Sequence, residues 1–430
     1  MIGDKVKGRR RQGRRQGIFL FDMIKNCSNS KRGWLVLAVL LFQQPSIADD
    51  DEFSRCIAGL QDRARSEQLP AWIVDDVLGG LEHVPRVIEL DRSQPEFSQT
   101  FAQYYYGRVT RGRIRRGQRL LSEHEEFLQA LTKQYGVPGR YLVAFWGLET
   151  NFGRNLGRMP VLDSLATLAC DPRRQEFFTE ELMHALALLQ RESLSPAEMR
   201  GSWAGAMGHT QFMPSAYRNH AADGDGDGKV NLWRSERDAL TSGANYLANL
   251  GWQPGQRWGR EVLLPEAFPY ARTGLGNSQP LSVWRRLGVS FLDGRALPDV
   301  DMEASVLVPA GHEGPAFLVY SNFNVIMQWN RSEYYALSVG LLADRLVGAG
   351  PLARPPSTSQ AALSRQTVEA MQRQLNHLGF NAGEIDGVLG SMTQSALREF
   401  QASNGMIADG YPDRDTLCRL SERSGDTSCL

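Results

Sequence analysis

A run of apolar and aromatic residues ends in a single acid in the segment Tyr141-Leu142-Val143-Ala144-Phe145-Trp146-Gly147-Leu148-Glu149-Thr150-Asn151-Phe152-Gly153. Glu149 follows eight residues that carry no charge. If its carboxyl lies in a cleft lined by such side chains, desolvation raises its pKa and keeps it protonated near neutral pH, as a general acid requires. The alternative is an exposed glutamate just before a helix C-terminus, and the pattern alone favours that alternative.

Apolar residues elsewhere in the chain recur mainly at helical spacing, as in residues 177–189 and 240–250. Period-two alternation is confined to short stretches such as residues 304–308 and 317–320. Apolar residues at helical spacing indicate amphipathic helices, whereas short alternating runs indicate strands. The sequence therefore predicts a mostly α protein of the α+β class, with minor β structure.

Composition divides the chain into four segments. Residues 351–362 are rich in Pro and Ser, which resist helix and core formation and indicate a linker. The linker separates a body at residues 49–350 from a tail at residues 363–430, and both lengths are adequate for a domain. Three short runs at helical spacing in the tail predict a small three-helix bundle.

Residues 1–48 have the features of a targeting segment. They hold 10 Lys and Arg against 2 Asp and Glu, and the last of these basic residues precede an apolar run from Trp34 to Phe42. Small residues up to Ala48 follow, so the pattern predicts a signal peptide cleaved after Ala48, and Met23 would begin one of ordinary length. The apolar run is too short to span a bilayer. We therefore expect a soluble, periplasmic product without a transmembrane anchor.

Charge and motifs exclude several functions. The chain beyond residue 48 carries a net charge of −8, which disfavours nucleic-acid binding. The seven His do not form an H-E-x-x-H pattern, and there is no G-x-S-x-G. The Gly228-Lys229 pair precedes Val230, where a P-loop needs Ser or Thr. Zinc, serine-nucleophile and nucleotide functions are therefore not expected.

Four cysteines remain in the exported part of the chain, at Cys56, Cys170, Cys418 and Cys429. An even number of cysteines in an oxidising compartment indicates disulfides, and four cysteines allow three pairings. The short separation of Cys418 and Cys429 favours their local pairing, which leaves Cys56 for Cys170. Four unpaired thiols are the alternative.

Residues 201–217 alternate small residues with Trp, Met, Phe and Tyr. Such a segment can line a groove, with apolar faces for sugar rings and with Ser202 and Gln211 as polar groups. A tight packing interface between helices explains the same composition equally well.

An acidic loop follows, with Asp223, Asp225 and Asp227 at the first, third and fifth positions of an EF-hand calcium pattern. Its twelfth position, normally a bidentate Glu, is Arg234. A calcium site would use the three aspartates, the Lys229 carbonyl and, if the loop is longer, Asp238. The alternative is a solvated acidic turn.

The order of these motifs resembles the lytic murein transglycosylase B family, at residues 145–153, 201–217, 223–233 and 244–252. The tail resembles the peptidoglycan-binding type 1 module, at residues 368–379, 386–390 and 397–401.

The resemblance implies a lysozyme-like catalytic domain that cleaves peptidoglycan glycan strands between N-acetylmuramic acid and N-acetylglucosamine without water. It makes Glu149 the catalytic acid and base, requires no cofactor for catalysis, and leaves calcium as a structural ion. The substrate-binding positions of the family fall on Arg173, Arg174, Ser202, Gln211, Tyr246, Asn330 and Tyr335. His209 stands where Gln is more usual and Trp329 where Tyr is often found, which puts subsite preference in doubt.

Two other functions remain open at this stage. A hydrolytic muramidase would use a second carboxylate to activate water. A non-catalytic peptidoglycan-binding protein would keep the cleft without its chemistry. The glycan product separates them, because it carries an anhydro end, a reducing end, or no new end at all.

Overall fold

The computed structural model describes residues 47–93, 99–425 and 429. The predicted signal peptide, residues 1–48, lies outside the described residues except for its last two. The α-helices of the described residues are α1 (Ile47–Ser66), α2 (Pro85–Ser93), α3 (Phe101–Arg108), α4 (Arg111–Glu123), α5 (Glu125–Tyr135), α6 (Gly139–Thr150), α7 (Val161–Ala169), α8 (Gln175–Arg191), α9 (Pro214–His220), α10 (Glu236–Asn249), α11 (Leu281–Arg286), α12 (Ser321–Trp329), α13 (Glu333–Leu346), α14 (Arg365–His377), α15 (Ser391–Ser403) and α16 (Arg414–Ser424).

The strands are short and few within the described residues: β1 (Met159–Pro160), β2 (Arg200–Gly201), β3 (Gly259–Val262), β4 (Gln279–Pro280), β5 (Glu303–Leu307) and β6 (Ala316–Val319). β1 pairs with β2, and an antiparallel sheet has the order β3-β6-β5-β4. In that sheet Leu307 lies opposite Phe317, and Arg260 lies opposite Leu318. The alternating stretches of the sequence form β5 and β6, so the prediction of a mostly α protein with minor β structure is confirmed.

α6 lies at the centre of the body. Its side chains from Tyr141 to Leu148 are all buried. A helix that is apolar on every side must be enclosed by other elements, and α6 packs against α4, α5, α10 and α13. A second apolar cluster surrounds α7 and α8, and a third lies against the four-stranded sheet.

The tail has a core of its own. Met371 and Leu375 of α14 are buried against Leu397 and Phe400 of α15 and Leu420 of α16. The three helices predicted from apolar spacing are therefore present, and Gly379 follows the first of them with a positive φ of 88°, which suits a residue without a Cβ.

The linker is attached to the body. Leu352 is 9% exposed and belongs to the same apolar cluster as α6. The backbone N–H groups of Ala353 and Arg354 each donate a hydrogen bond of 2.8 Å to the Glu261 carboxylate. One apolar side chain and one carboxylate thus fix the beginning of the linker to the body.

Cys56 is bonded to Cys170 and Cys418 to Cys429. The first disulfide links α1 to the residue that ends α7, and the second joins α16 to the end of the chain. None of the helices in the described residues is long and apolar enough to cross a membrane.

Candidate active site

The helix that carries Glu149 ends abruptly. Asn151, Phe152 and Gly153 have positive φ values of 51°, 60° and 76°, and a non-glycine residue adopts this conformation only at a cost. Burial offsets that cost, because Phe152 is 2% exposed and packs edge-on against Trp146 at a centroid distance of 5.8 Å. The turn leaves Glu149 in the last turn of α6, and its side chain is partly exposed.

Two side chains hold one oxygen of the Glu149 carboxyl. The indole N–H of Trp329 donates to Oε1 at 3.0 Å, and the Tyr335 hydroxyl donates to the same oxygen. Burial, together with the charge of Glu149 and the hydrogen bond to it, raises the pKa of Tyr335 well above its ordinary value. The Tyr335 hydroxyl therefore stays protonated and donates its hydrogen, and Oε1 of Glu149 serves as the acceptor.

Trp329 lies at the centre of an aromatic cluster. Its ring centroid is 4.4 Å from that of Phe145 and 5.3 Å from those of Phe212 and Tyr246. It packs against both the cluster around α6 and the cluster around α7 and α8. Glu149 therefore sits where the two cores of the body meet, beside a wall of ring faces.

His209 supports the rear of α6. Its Nδ1 accepts a hydrogen bond of 2.8 Å from the Trp146 indole, and its carbonyl accepts one of 2.9 Å from Thr150 Oγ1. A Cβ on Gly153 would collide with the His209 ring. Burial lowers the pKa of His209. The departure from Gln at this position thus lies behind the helix that carries Glu149 and supports it.

The segment at residues 201–217 forms a folded loop next to α6. Met207 bridges both Gly201 and Phe212 in antiparallel fashion. Ser202 Oγ accepts a hydrogen bond of 3.0 Å from the Ala206 N–H, and the Gln211 amide donates to the carbonyl groups of Leu156 and Gly208. The segment is thus mostly irregular loop, and not the helix interface that its composition equally allowed.

The remaining predicted substrate residues are divided between two places. Tyr246 belongs to the aromatic cluster, and Asn330 follows Trp329 directly, with its Oδ1 accepting from the Ser332 N–H at 3.2 Å. Arg173 and Arg174 both form ion pairs with the buried carboxylate of Asp91 on α2. Their guanidinium groups are therefore engaged with an internal partner, although each side chain keeps at least 40% of its surface exposed.

The acidic loop gathers three carboxylates. One oxygen each of Asp223, Asp225 and Asp227 lies within 4.8 Å of the others, and all three residues are exposed. Asp223 accepts hydrogen bonds from the N–H groups of Gly226 and Gly228 at 2.6 and 2.8 Å. Clustered carboxylate oxygens on an ordered loop are the donors that Ca²⁺ prefers, so the residues fit that ion.

Asp238 has a different task from the one predicted. It is 1% exposed, and its two oxygens accept the N–H groups of Gly224 and Asn231 at 2.8 and 2.7 Å. The carboxylate therefore fastens both ends of the loop to α10, and it does not belong to the cluster of three.

Two segments of the chain match known domain families. Residues 52–344 match the transglycosylase SLT domain, and residues 364–420 match the putative peptidoglycan binding domain. The chain belongs to the transglycosylase SLT family. The family resemblance seen in the sequence is therefore confirmed, and so is the mostly helical fold that this resemblance implied.

Relatives of known structure cover most of this transglycosylase-family chain. It is 42% identical to SltB3 from Pseudomonas aeruginosa, crystallised with NAG-anhNAM-pentapeptide, with a TM-score of 0.81 over 86% of this chain and 99% of that one. It is 28% identical to the lytic transglycosylase SLT35 of Escherichia coli in complex with calcium, with a TM-score of 0.61 over 68% of this chain and 93% of that one.

A curated relative is the membrane-bound lytic murein transglycosylase B of Escherichia coli, 34% identical over 244 residues. That match covers 54% of this chain and 63% of the length of the relative.

Trp329 is the contributor to the site whose role the sequence did not reveal. Its position was noted only as a departure from Tyr, and its donation to Glu149 depends on residues that are 180 positions apart. The signal that could have indicated this role is the indole N–H of Trp329, because an aromatic residue with such a donor can hold the acid of the family.

Proposed function

We propose that this protein is a lytic transglycosylase that cleaves the bond between N-acetylmuramic acid and N-acetylglucosamine without water and leaves 1,6-anhydromuramyl ends. The observation that carries the proposal is the Glu149 carboxyl, fixed through Oε1 by Trp329 and Tyr335 beside an aromatic wall. Membership of the transglycosylase SLT family supports the same reaction.

Glu149 performs both proton transfers. Because Oε1 accepts two hydrogen bonds, the mobile proton resides on Oε2. In the first step Oε2–H protonates the glycosidic oxygen, the bond from that oxygen to muramyl C1 breaks, and its electrons leave with the N-acetylglucosamine hydroxyl. Trp329 and Tyr335 then stabilise the carboxylate that forms, because both remain donors to it.

The second step closes the anhydro ring. The muramyl C6 hydroxyl attacks C1 of the oxocarbenium-like centre, and the Glu149 carboxylate takes the hydroxyl proton. No second carboxylate is needed, because the substrate supplies its own nucleophile. Burial and the charge of Glu181 raise the pKa of Tyr246. The two oxygens of Glu181 already accept hydrogen bonds from the N–H and the hydroxyl of Ser215.

The substrate-binding positions extend from this centre. Ser202, Gln211, Tyr246, Asn330 and Tyr335 would orient the sugars, with ring faces supplied by the aromatic cluster. Arg173 and Arg174 would reach muramyl carboxylates through the donors that Asp91 does not occupy, since a guanidinium offers five.

Oxygen-18 water tests the reaction. Digestion of purified peptidoglycan in this solvent should give anhydromuramyl ends without label, identified by mass spectrometry of the released fragments. Label at new reducing ends would establish a hydrolytic muramidase instead, and intact glycan would leave a binding protein.

Export, the metal and the domain division belong to the same proposal. Peptidoglycan lies outside the cytoplasm, so a signal peptide at residues 1–48 and a periplasmic location fit the substrate.

A structural calcium ion would be held by Asp223, Asp225, Asp227 and the Lys229 carbonyl, and it would rigidify the loop without a part in the proton transfers. The catalytic domain would span residues 49–350, the linker residues 351–362 and the peptidoglycan-binding domain residues 363–430.

A further inference from the structure

A cavity of about 640 Å³ lies between the body and the tail. The body contributes Leu275 and Met327 to its lining, and the tail contributes Val388 and Leu389. The exposed side chain of Met392 also lines it, so the cavity opens to solvent. Pockets of 300 to 1,000 Å³ are the usual size for sites that enclose small organic ligands.

A buried cation faces this cavity. Arg398 of α15 is 9% exposed and lines the cavity together with a small recess behind it. Among the described residues none accepts a hydrogen bond from its guanidinium or lies within ion-pair distance of it. Burial lowers the pKa of Arg398. The charges of Glu333, Asp409 and Glu399 oppose that effect. None of them is a direct ion-pair partner, so an anion bound in the cavity would stabilise the buried guanidinium.

Two glycines leave space for the Arg398 guanidinium. A Cβ on Gly274 of the body would lie 2.5 Å from Arg398 Nη2, and a Cβ on Gly410 of the tail would lie 2.6 Å from Nη1. Both glycines have positive φ values. The guanidinium is therefore held between body and tail at a position that larger residues would block.

Glu333 supplies a second polar group in the same lining. It is the first residue of α13, and the described residues offer no hydrogen-bond donor or cation to its carboxyl within bonding distance. Burial raises its pKa, and the charge of Arg398 opposes that effect. The cavity thus presents two cations, Arg398 and the exposed Arg331, and one carboxyl, together with apolar side chains. Arg398 and Glu333 are separated by more than an ion-pair distance.

The cavity and the active site share one segment of chain. Met327, Arg331 and Glu333 line the cavity, whereas Trp329 and Tyr335 of the same stretch hold Glu149. The tail is fixed against the body beside it, because the His312 N–H and Nδ1 both lie 2.8 Å from Asp409 Oδ2. The stretch from Met327 to Tyr335 therefore contributes side chains to both places.

We propose that this cavity binds the peptide stem of the glycan strand, with Arg398 pairing with a peptide carboxylate and Glu333 accepting from a peptide amine or amide. The proposal rests on the proposed function, because it takes the polymer to be peptidoglycan. It gives the tail a second task, since the module then forms one wall of a substrate site as well as binding the cell wall.

Binding of a free stem pentapeptide to the full chain tests the cavity without any catalysis. Isothermal titration should detect binding to the parent protein, and Arg398→Met should weaken it by about tenfold or more, as expected for loss of a hydrogen-bonded charge pair. Arg419→Met, in the same module but paired with Glu422 at the surface, should bind within twofold of the parent. Equal affinity of Arg398→Met and the parent, or no binding by the parent at millimolar peptide, would overturn the proposal.

A photoreactive stem pentapeptide gives a second measurement that needs no variant. Adducts on Met392 or Leu389 of the parent are expected, and adducts confined to other surfaces would overturn the proposal even if Arg398→Met did not fold. Turnover adds a kinetic distinction: Arg398→Met should raise KM on strands that carry stems and leave peptide-free strands cleaved at the parent rate. Failure of the proposed function would appear separately, as new ends labelled with oxygen-18 or no cleavage by the parent.

Discussion

The Glu149 site and the acidic loop hold their carboxylates with different hydrogen-bond donors. Glu149 sits among buried rings and accepts hydrogen bonds from two side chains on one oxygen. Asp223 is exposed, and backbone N–H groups of the loop occupy both of its oxygens. Side-chain donors from distant segments hold Oε1 of Glu149, whereas local backbone donors make Asp223 part of the loop itself.

Position along the chain explains the contrast. Backbone N–H groups within five positions fix the loop carboxylates, and the Ser235 hydroxyl, ten positions along, also donates to Asp225, so their geometry is local. Glu149 depends on α12 and α13, which come from nearly 200 residues away. Local order suits a structural site, and long-range assembly suits a reacting group that must be enclosed by two cores.

The largest effect is expected from Glu149→Gln. The amide keeps the shape of the side chain but cannot donate and recover a proton, so cleavage should fall by about 100-fold to 10,000-fold or more. Release of muropeptides from purified peptidoglycan is the measurement, with the melting temperature as a check on folding. A rate near that of the parent would move the chemistry away from this carboxyl.

Loss of one donor to Oε1 should have a smaller effect. Trp329→Phe removes the indole N–H and keeps a ring in the cluster, and one hydrogen bond of about 1 to 1.5 kcal/mol corresponds to a rate loss of about fivefold to tenfold. Trp233→Phe is the matched control, because its indole donates to the Arg200 carbonyl, not to Glu149. Equal rates for the two variants would mean that Trp329 only packs against its neighbours.

Calcium should act on the acidic loop. Addition of calcium should raise the melting temperature of the parent, because an ion that binds only the folded loop stabilises it by mass action. Asp227→Ala should abolish the rise while cleavage continues, whereas Asp293→Ala, at an exposed turn elsewhere, should keep it. If chelation stopped cleavage by the parent, the loop would not be a purely structural site.

The smallest effect is expected from pH, and it differs between the two regions. His209 has a lowered pKa in the folded state, so the unfolded chain binds its proton first as the pH falls. Stability should therefore decline from about pH 6.5 downward, because a protonated Nδ1 cannot accept from the Trp146 indole. The decline should be shallower in His209→Gln, measured as unfolding free energy against pH.

The exposed His377→Gln is the control for that measurement and should follow the parent. The loop should respond only in stronger acid, since N–H donation from Gly228 and Gly226 lowers the pKa of Asp223. Its contribution is present above the ordinary carboxyl pKa and is lost as the pH falls through the lowered value. A single titration step shared by both regions would contradict their independence.

Much of the architecture could be predicted from local patterns. Apolar spacing predicted α8, α10 and the three helices of the tail, and alternation predicted β5 and β6. The segment around Glu149 left two possibilities open, a carboxyl in an apolar cleft and an exposed glutamate at a helix end, and the pattern alone favoured the second. The four cysteines suggested the pairing that the structure contains, since compartment and separation along the chain restrict the choice.

Predictions that depended on distant partners were less complete. Asp238 was placed in the calcium shell because it follows the loop at a suitable spacing, but two backbone N–H groups claim its oxygens. The family resemblance placed Arg173 and Arg174 among the substrate-binding positions without indicating an internal partner, and Asp91, more than 80 positions earlier, pairs with both. Sequence spacing cannot reveal such partners, because they meet only when separate helices pack.

The sequence by itself determined several of the helical segments and which carboxyl is flanked by aromatic residues, since these follow from neighbours along the chain. Only the tertiary structure decided that Trp329 and Tyr335 share one oxygen of Glu149, and that Arg398 faces a cavity between body and tail. The two contacts with Glu149 join residues 180 and 186 positions apart. Their geometry is set by how the helices pack, which no local pattern encodes.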